Sequence, residues 1–340
     1  MQHGGDLSKA IAEFGGTPED WLDLSTGINP VAYPAAEHIT LRGLTELPTE
    51  GAETALLDAA RTAYCVPSQS GLTAAPGTQA IITALPSLLG AKSSISIVSP
   101  TYSSHEESWK QAGADIHRIA ASEAHKASTQ HLLLVNPNNP NGHIFTKEEL
   151  LQLAAKQQQA GGYLIIDEAF MDLYPDASTV PELADQPILV LRSFGKFFGL
   201  AGVRLGFLIG SKAITAKLQS QLGSWAVSGP ALDIGSATLS DLRWQDEMRN
   251  FLKTEMEIFN ASLQQLNLPI VGQTDLYILI DHPNAHALHK ALAERHIWTR
   301  VFDYAPTWMR LGLPADKAAR QRLATALKQS LSAIENHAVL

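Results

Sequence analysis

The 340-residue chain has a single cysteine, no long apolar run and no excess of basic residues. One cysteine, Cys65, excludes an intramolecular disulfide and disfavours a cysteine-based metal site, so no metal is predicted. Its apolar neighbours predict a buried, structural thiol. The N-terminus lacks the basic and apolar regions of a secretory signal, and no segment has the length to span a membrane. A cytoplasmic protein without a membrane partner is expected.

The charge balance excludes another class of partner. Acidic residues outnumber basic ones by 34 to 25, which gives a formal net charge of −9. The basic residues are scattered along the chain, so no positively charged face for nucleic acid is predicted. An anionic substrate would therefore need a local pocket of positive charge.

Short apolar runs alternate with helical patterns through the middle of the chain. We predict buried strands over Ser94–Ser99, His131–Asn136, Tyr163–Asp167 and Ile188–Ser193. A helix over Lys147–Ala160 is predicted to begin with a capping box formed by Thr146 and Glu149. Alternation of strands and helices predicts an α/β fold with a mainly parallel sheet covered on both faces.

A chain of this length favours two domains. We predict an N-terminal arm or part of a small domain over 1–45, a large domain over 46–240, and an interdomain helix with a small α+β C-terminal domain over 241–340. The arm is rich in Gly, Pro, Asn and Thr and has little periodicity, which predicts an extended path.

Lys196 lies in a glycine-rich, apolar loop, three residues after Ser193 and eight before Arg204. Burial disfavours the charged form of a lysine, and a neutral amine can form a Schiff base with an aldehyde. Ser193 and Arg204 are residue types that bind phosphate. An aldehyde together with a phosphate suggests pyridoxal 5′-phosphate (PLP). A solvated lysine in a surface turn is the alternative.

Other polar residues follow predicted strands, where ligands of open α/β sheets bind. Asp167 ends an apolar strand and would need a cation, such as a protonated pyridine nitrogen, unless it caps a turn. The Gly77-Thr78-Gln79 turn begins a helix and could bind an anion. Tyr102 could stack on a flat cofactor or belong to the core, and the Asn-rich loop 136–142 could donate to a phenolate oxygen or be a plain turn.

Arg310 lies among apolar residues of a predicted strand. This position suggests a bidentate carboxylate partner, or else an edge-strand arginine that reaches solvent. His3, Thr26 and Asn29 of the arm could equally be ordinary surface residues.

Taken together, these motifs resemble the fold-type I, aspartate-aminotransferase-like, PLP-dependent enzymes over nearly the whole chain. The resemblance implies that Lys196 carries PLP and that Asp167 faces the pyridine nitrogen. It also implies roles for residues around the cofactor and the substrate: phosphate contacts from Gly77, Thr78, Gln79, Ser193 and Arg204, ring stacking by Tyr102, a 3′-oxygen contact from Asn139, and substrate-carboxylate binding by Arg310.

The sequence departs from the family pattern at two positions. Asn141 replaces the threonine that follows the Asn-Pro pair, and Phe170 replaces a tyrosine that contacts the PLP 3′-oxygen. Without that hydroxyl the 3′-oxygen has one fewer donor, so a more basic lysine–PLP imine is expected.

The arm, from His3 to Leu7 and from Trp21 to Pro30, is similar to the threonine-phosphate decarboxylases of cobalamin biosynthesis. The resemblance implies decarboxylation of L-threonine O-3-phosphate to (R)-1-amino-2-propanol O-2-phosphate. It also implies substrate contacts from His3, Thr26, Gly27, Asn29, Asn139 and Arg310, and a homodimer. A histidinol-phosphate-type aminotransferase and a non-enzymatic protein with the same fold are the alternatives.

Overall fold

A computed structural model describes residues 4–184 and 186–338, with side chains through 334. The contacts divide these residues into two compact units. The small unit draws on Met1–Val31 and Asp246–Leu340, and the large unit is Ala32–Gln245. The predicted domain boundaries, at 45/46 and 240/241, remain a prediction.

The two units contain the following helices and strands. The helices are α1 Ser8–Phe14, α2 Leu41–Thr45, α3 Glu50–Ala63, α4 Thr78–Leu89, α5 Ser103–Gln111, α6 Lys147–Gln159, α7 Lys212–Leu222, α8 Gly229–Ser240, α9 Leu242–Gln264, α10 Ala285–Ala293 and α11 Lys317–Ala338. The strands are β1 Leu22–Asp23, β2 Gly71–Ala75, β3 Ser94–Val98, β4 Asp115–Ile119, β5 His131–Val135, β6 Leu164–Asp167, β7 Ile188–Ser193, β8 Gly206–Gly210, β9 Ile270–Thr274, β10 Tyr277–Asp281, β11 Ile297–Trp298, β12 Arg300–Phe302 and β13 Ala305–Gly312.

The large unit is built on a seven-stranded sheet in the order β2-β8-β7-β6-β5-β3-β4. Strands β4, β3, β5, β6 and β7 are parallel, and β8 is antiparallel to both of its neighbours. Apolar strand residues such as Leu133, Ile165 and Leu189 are fully buried in the core. The predicted α/β fold is confirmed.

Strand and helix predictions in this unit follow from local pattern. Strand β7 has the predicted bounds, and β3, β5 and β6 each end or begin within one residue of them. Helix α6 begins with the predicted capping box: the Glu149 amide donates to Thr146 Oγ1 at 3.2 Å, and the Thr146 amide donates to Glu149 Oε2 at 2.8 Å.

The small unit has a four-stranded antiparallel sheet in the order β12-β13-β10-β9, and β1 pairs in parallel with β11. The arm is not simply extended, as the sequence analysis expected, because α1 forms within it. Leu7, Ala10 and Phe14 recur at helical spacing, and their apolar face packs with Trp21 and Ala293. This apolar pattern covers only two turns between Gly-rich segments, so it was not recognised as a helix in the sequence.

The expectation of a buried Cys65 was wrong, since its side chain is exposed. Helix α3 ends just before it, and Cys65 takes a left-handed backbone with φ of 52°. The Val66 amide then donates to the Arg61 carbonyl at 2.9 Å, which closes the helix end and buries Val66 instead.

Of the helices that the structure describes, none is both long enough and apolar enough to cross a membrane.

Candidate active site

A cavity of about 130 Å³ in the large unit brings together the nine residues predicted to contact the cofactor. These nine are Gly77, Thr78, Gln79, Tyr102, Asn139, Asp167, Ser193, Lys196 and Arg204. A larger groove of about 650 Å³ beside Trp225 in the same unit contains none of them. The small cavity is therefore the candidate site, because chemistry and not volume distinguishes it.

The sheet topology explains why distant residues meet in this cavity. Asp167 ends β6 and Ser193 ends β7, and these neighbouring strands are parallel. Because β8 runs the other way, Arg204 just before it lies at the same edge. The carboxyl ends of parallel strands share one edge, so the side chains converge there.

Asp167 is held at one end of the cavity by a buried histidine. Its Oδ2 lies 2.8 Å from Nε2 of His105, and its Oδ1 accepts from the Ala169 amide at 3.0 Å. Asp167 is 4% exposed and His105 is fully buried. An ionised carboxylate only accepts hydrogen bonds, so Nε2–H is the donor in this pair. These two hydrogen bonds fix the orientation of the carboxylate, which lines the cavity.

A tight turn forms another part of the cavity wall. Gly77, at the N-cap of α4, has φ of 82°, and a Cβ added there would lie 2.7 Å from Arg204 Nη2. The positive backbone angle favours glycine, and a side chain there would also displace the Arg204 guanidinium. The first amides and the positive end of the dipole of helix α4 lie at this turn, and Ser193 adds a hydroxyl to the cavity lining. This group of donors suits a phosphate.

The loop that carries Asn139 is cross-braced by its own asparagines. Asn138 Nδ2 donates to the Pro100 carbonyl at 3.0 Å and to Asn141 Oδ1 at 2.8 Å. Thr101 Oγ1 donates to Asn138 Oδ1 at 2.8 Å, which ties this loop to the segment before Tyr102. Asn141, one of the two departures from the family pattern, therefore braces the loop.

Lys196 lies half-buried in the cavity wall, with its Nζ 5.9 Å from the ring centre of Phe170. Phe170 is buried and also lines the cavity. Phe170 therefore presents a flat apolar surface to the cavity and, unlike the tyrosine that it replaces, no hydroxyl.

The substrate residues predicted in the arm and in β13 belong to the small unit. Arg310 is buried, its Nη2 donates to the Ser25 carbonyl at 2.7 Å, and its guanidinium lies 5.1 Å from the Tyr277 ring centre. Asn29 Oδ1 accepts from the Val31 amide at 2.9 Å. A Cβ added at Gly312 would lie 2.4 Å from the Thr26 carbonyl oxygen, so Thr26, which precedes Gly27, passes close to β13. His3 lies outside the described residues.

A second arginine, missed in the sequence, accompanies Arg310. Arg300 of β12 is its register partner, so both side chains extend from one face of the sheet. Burial lowers the pKa of Arg310, and Arg300 lowers it further. Burial raises the pKa of Tyr304 to about 12, and the two arginines offset part of that rise. Paired positive charges on one face favour a bound anion.

His105 was also missed in the sequence. Its only local signal is a position three residues after Tyr102 in the first turn of α5, and a histidine there has no distinctive pattern. Its partner, Asp167, is 62 residues away in sequence and is brought close by the sheet. Arg300 could have been suspected only from knowing the register of β12 against β13.

Comparison with known proteins identifies the class. The family model described as "Aminotransferase class I and II" matches residues 35–327. The chain belongs to this family, whose members are PLP-dependent.

Individual members of the family show which of them the chain resembles. The chain is 42% identical to a threonine-phosphate decarboxylase of Sinorhizobium sp and 39% identical to one of Pseudomonas aeruginosa, each over 96% of this chain and 97% of the relative. It also superposes on the histidinol-phosphate aminotransferase of Sinorhizobium meliloti in complex with pyridoxal-5′-phosphate. That match has a TM-score of 0.85 and 15% identity, over 97% of this chain and 95% of the other.

The cavity residues fit PLP. The cofactor has an aldehyde, a pyridine nitrogen and a phosphate, and the cavity offers an amine, a buried carboxylate and a glycine turn beside an arginine. At the Gly77 turn in particular, no Cβ comes between the backbone that begins α4 and the Arg204 guanidinium.

Proposed function

We propose that this chain catalyses the PLP-dependent decarboxylation of L-threonine O-3-phosphate to (R)-1-amino-2-propanol O-2-phosphate and CO₂, a step of cobalamin biosynthesis. The cavity that gathers Lys196, Asp167 and the Gly77 turn is the observation that carries the PLP chemistry. Full-length similarity to two proteins named threonine-phosphate decarboxylase supports the choice of substrate and reaction.

Each cavity residue has a role that its surroundings support. Bound PLP supplies a conjugated, cationic ring that takes up the electron pair of the bond broken at Cα. Lys196 is the amine that holds the aldehyde carbon, and Asp167 keeps the ring nitrogen protonated. Thr78, Gln79, Ser193 and Arg204 bind the phosphate, Tyr102 stacks on the ring, and Asn139 donates to its 3′-oxygen.

The small unit supplies the substrate contacts in this proposal. Arg310 binds the substrate carboxylate, for which a fixed, buried guanidinium is suited. The arm residues His3, Thr26, Gly27 and Asn29 contact the substrate phosphate, and Arg300 adds positive charge on the same sheet face as Arg310. Asn139 also contacts the substrate.

Orientation of the substrate selects the bond that breaks. A decarboxylase must hold the Cα–carboxylate bond perpendicular to the ring, whereas an aminotransferase must hold the Cα–H bond there. Arg310 would serve either enzyme, so the histidinol-phosphate-type aminotransferase is the competing function, and the solved aminotransferase with the same fold favours it as the alternative.

One assay separates the two functions. Purified protein loaded with PLP is incubated with threonine phosphate in the absence of any 2-oxo acid, and CO₂ is measured. We expect stoichiometric CO₂ and an amine product that keeps its phosphate. No CO₂, together with turnover of histidinol phosphate that depends on 2-oxoglutarate, would establish the aminotransferase instead.

A homodimer is part of the proposal. The large unit exposes Ile39, Leu41, Leu44 and Leu47 within nine residues, and the three leucines are each at least 64% exposed. Several large apolar side chains exposed within one short segment are typical of a protein interface. We expect a dimer by light scattering and a monomer for Leu41→Glu/Leu44→Glu, with Val271→Glu, an exposed apolar residue of the small unit, as the control. A cytoplasmic location also stays a prediction.

A further inference from the structure

Three charged side chains are buried next to the strand ends that carry the cavity. Arg192, Glu168 and Asp172 are 2%, 0% and 5% exposed. Arg192 Nη1 donates to Glu168 Oε2 at 2.9 Å, and Nη2 donates to Asp172 Oδ1. The guanidinium also lies 4.3 Å from the ring centre of Tyr64. Arg192, Glu168 and Asp172 are termed the buried clamp below.

Glu168 ties the clamp to the loop that follows β6. Its Oε2 also accepts from Ser178 Oγ at 2.6 Å, and its Oε1 accepts from the amide and hydroxyl of Thr179, both at 2.9 Å. Burial alone would lower the pKa of Arg192, but the carboxylates of Asp172 and Glu168 more than offset it and the net shift is upward. The guanidinium therefore stays charged and joins the loop to β7.

Two clamp residues are next to cavity residues in sequence. Glu168 follows Asp167, and Arg192 precedes Ser193. Asp167 and Ser193 line the cavity, whereas the clamp residues do not. Successive side chains of an extended strand point to opposite faces, so a clamp on one face fixes the direction of its neighbours on the other. The Glu168 amide also donates to the Leu191 carbonyl at 2.9 Å, which locks the two strand ends together.

Stability alone is a poor explanation for this clamp. Apolar residues of similar volume often replace a buried ion network without loss of stability. Arg192 Nε also has no hydrogen-bond partner among the described residues, which is a cost. Charged, two-pronged hydrogen bonds fix the orientation of the side chains, which apolar packing does less strictly. Both guanidinium nitrogens must meet their carboxylates at set angles.

We propose that Arg192 is a positioning residue that, through the buried clamp, aims Asp167 and Ser193 at the two ends of PLP. Arg192 touches neither cofactor nor substrate. The inference rests on the PLP site of the proposed function and deepens it, because it assigns the alignment of the nitrogen and phosphate contacts to a group outside the cavity.

The test compares Arg192→Lys, which keeps the charge but not the two-pronged geometry, with Leu218→Ala. Leu218 is fully buried in α7 of the same unit and does not line the cavity. The readouts are the PLP dissociation constant of the apoprotein, the pH midpoint of the visible absorbance of lysine-bound PLP, and the melting temperature. For Arg192→Lys we expect PLP binding weakened about 10- to 100-fold, the range known for residues that orient metal ligands, and a shifted pH midpoint.

Leu218→Ala should lower the melting temperature but keep PLP affinity within about 2-fold, since it removes apolar packing and none of the hydrogen bonds of the buried clamp. Unchanged PLP affinity and pH midpoint in a folded Arg192→Lys would overturn the inference, as would an equal loss of affinity in Leu218→Ala. If Arg192→Lys does not fold, Asp172→Asn replaces it: weaker PLP binding in that folded variant supports the clamp, and unchanged binding refutes it. Failure of wild-type protein to release CO₂ would contradict the proposed function and leave these PLP measurements intact.

Discussion

The cavity of the large unit and the arginine pair of the small unit hold charge in opposite ways. In the cavity, the buried carboxylate of Asp167 already has His105 and a backbone amide as donors. In the small unit, Arg300 and Arg310 are register partners, so like charges share one sheet face. Like charges placed opposite each other are destabilising, and an anion would relieve them.

This difference suggests that the cavity determines the cofactor chemistry, whereas the arginine pair determines which substrate binds. A pre-oriented cavity suits one cofactor that every member of the family uses, so its residues say little about which bond breaks. Two arginines on one sheet face suit an anionic ligand that changes from one enzyme to the next. Variants in the cavity should therefore alter PLP itself, while variants of the arginines should alter the substrate and leave PLP alone.

Removal of Lys196 should have the largest effect. For Lys196→Ala we expect activity to fall at least roughly 1000-fold, because a covalent nucleophile is lost, together with the visible absorbance of lysine-bound PLP. Spectra and CO₂ release are compared with Lys212→Ala, an exposed lysine of the same unit. If Lys196→Ala kept the wild-type absorbance, Lys196 could not be the residue that binds PLP covalently.

Asp167→Asn should come next. The change keeps the shape but removes the charge that holds the ring nitrogen protonated, so we expect kcat to fall about 100- to 1000-fold, as for loss of one oriented electrostatic group. The measurement is steady-state kinetics at saturating PLP, with Asp176→Asn, an exposed aspartate of the same unit, as control. A kcat within a few-fold of wild type would show that the ring nitrogen has another partner.

Arg310→Lys sharpens the comparison from the other side. A lysine cannot make the bidentate contact, so KM for threonine phosphate should rise about 10- to 100-fold, equivalent to roughly 1.4–2.7 kcal/mol, while PLP affinity stays unchanged. Kinetics and PLP titration are run beside Arg295→Lys, an exposed arginine of the same unit. Weaker PLP binding with unaltered KM would reverse the roles given to the two regions.

Acid should act on the small unit through His289. Burial lowers the pKa of His289 to about 4 from 6.5, with smaller contributions from His286 and Arg300. A base with a depressed folded pKa adds stability above its unfolded pKa, and this is lost as the pH falls from 6.5 through about 4. The loss should be roughly 1–3 kcal/mol in the free energy of unfolding.

Urea unfolding of wild type and His289→Gln at pH 8 and pH 5 measures this loss. The variant should lose less stability than wild type between the two pH values, because it has no proton to take up. Equal losses in the two proteins would place the acid sensitivity elsewhere, for example at His131 of the large unit, whose pKa burial also lowers.

Local sequence patterns predicted much of the fold. They did not predict features that depend on contacts between residues far apart in the sequence. Strand β7 and the capping box of α6 were predictable because apolar runs and a Thr–Glu spacing act within a few residues. Most of the nine cavity residues could be proposed because they lie at or shortly after the end of a strand, and Arg204 because of its spacing from Lys196. Their grouping depended on the sheet order. His105, Arg300 and the buried clamp could not be found, since their meaning lies in partners 10 to 62 residues away.

The central claim is that the large-unit cavity holds PLP covalently through Lys196. The most direct measurement is reduction of the PLP-loaded protein with borohydride, followed by proteolysis and mass spectrometry to locate the pyridoxyl group. We predict a single modified peptide, with the added mass on Lys196. The group on another lysine, or no covalent adduct in protein that binds PLP, would contradict the account.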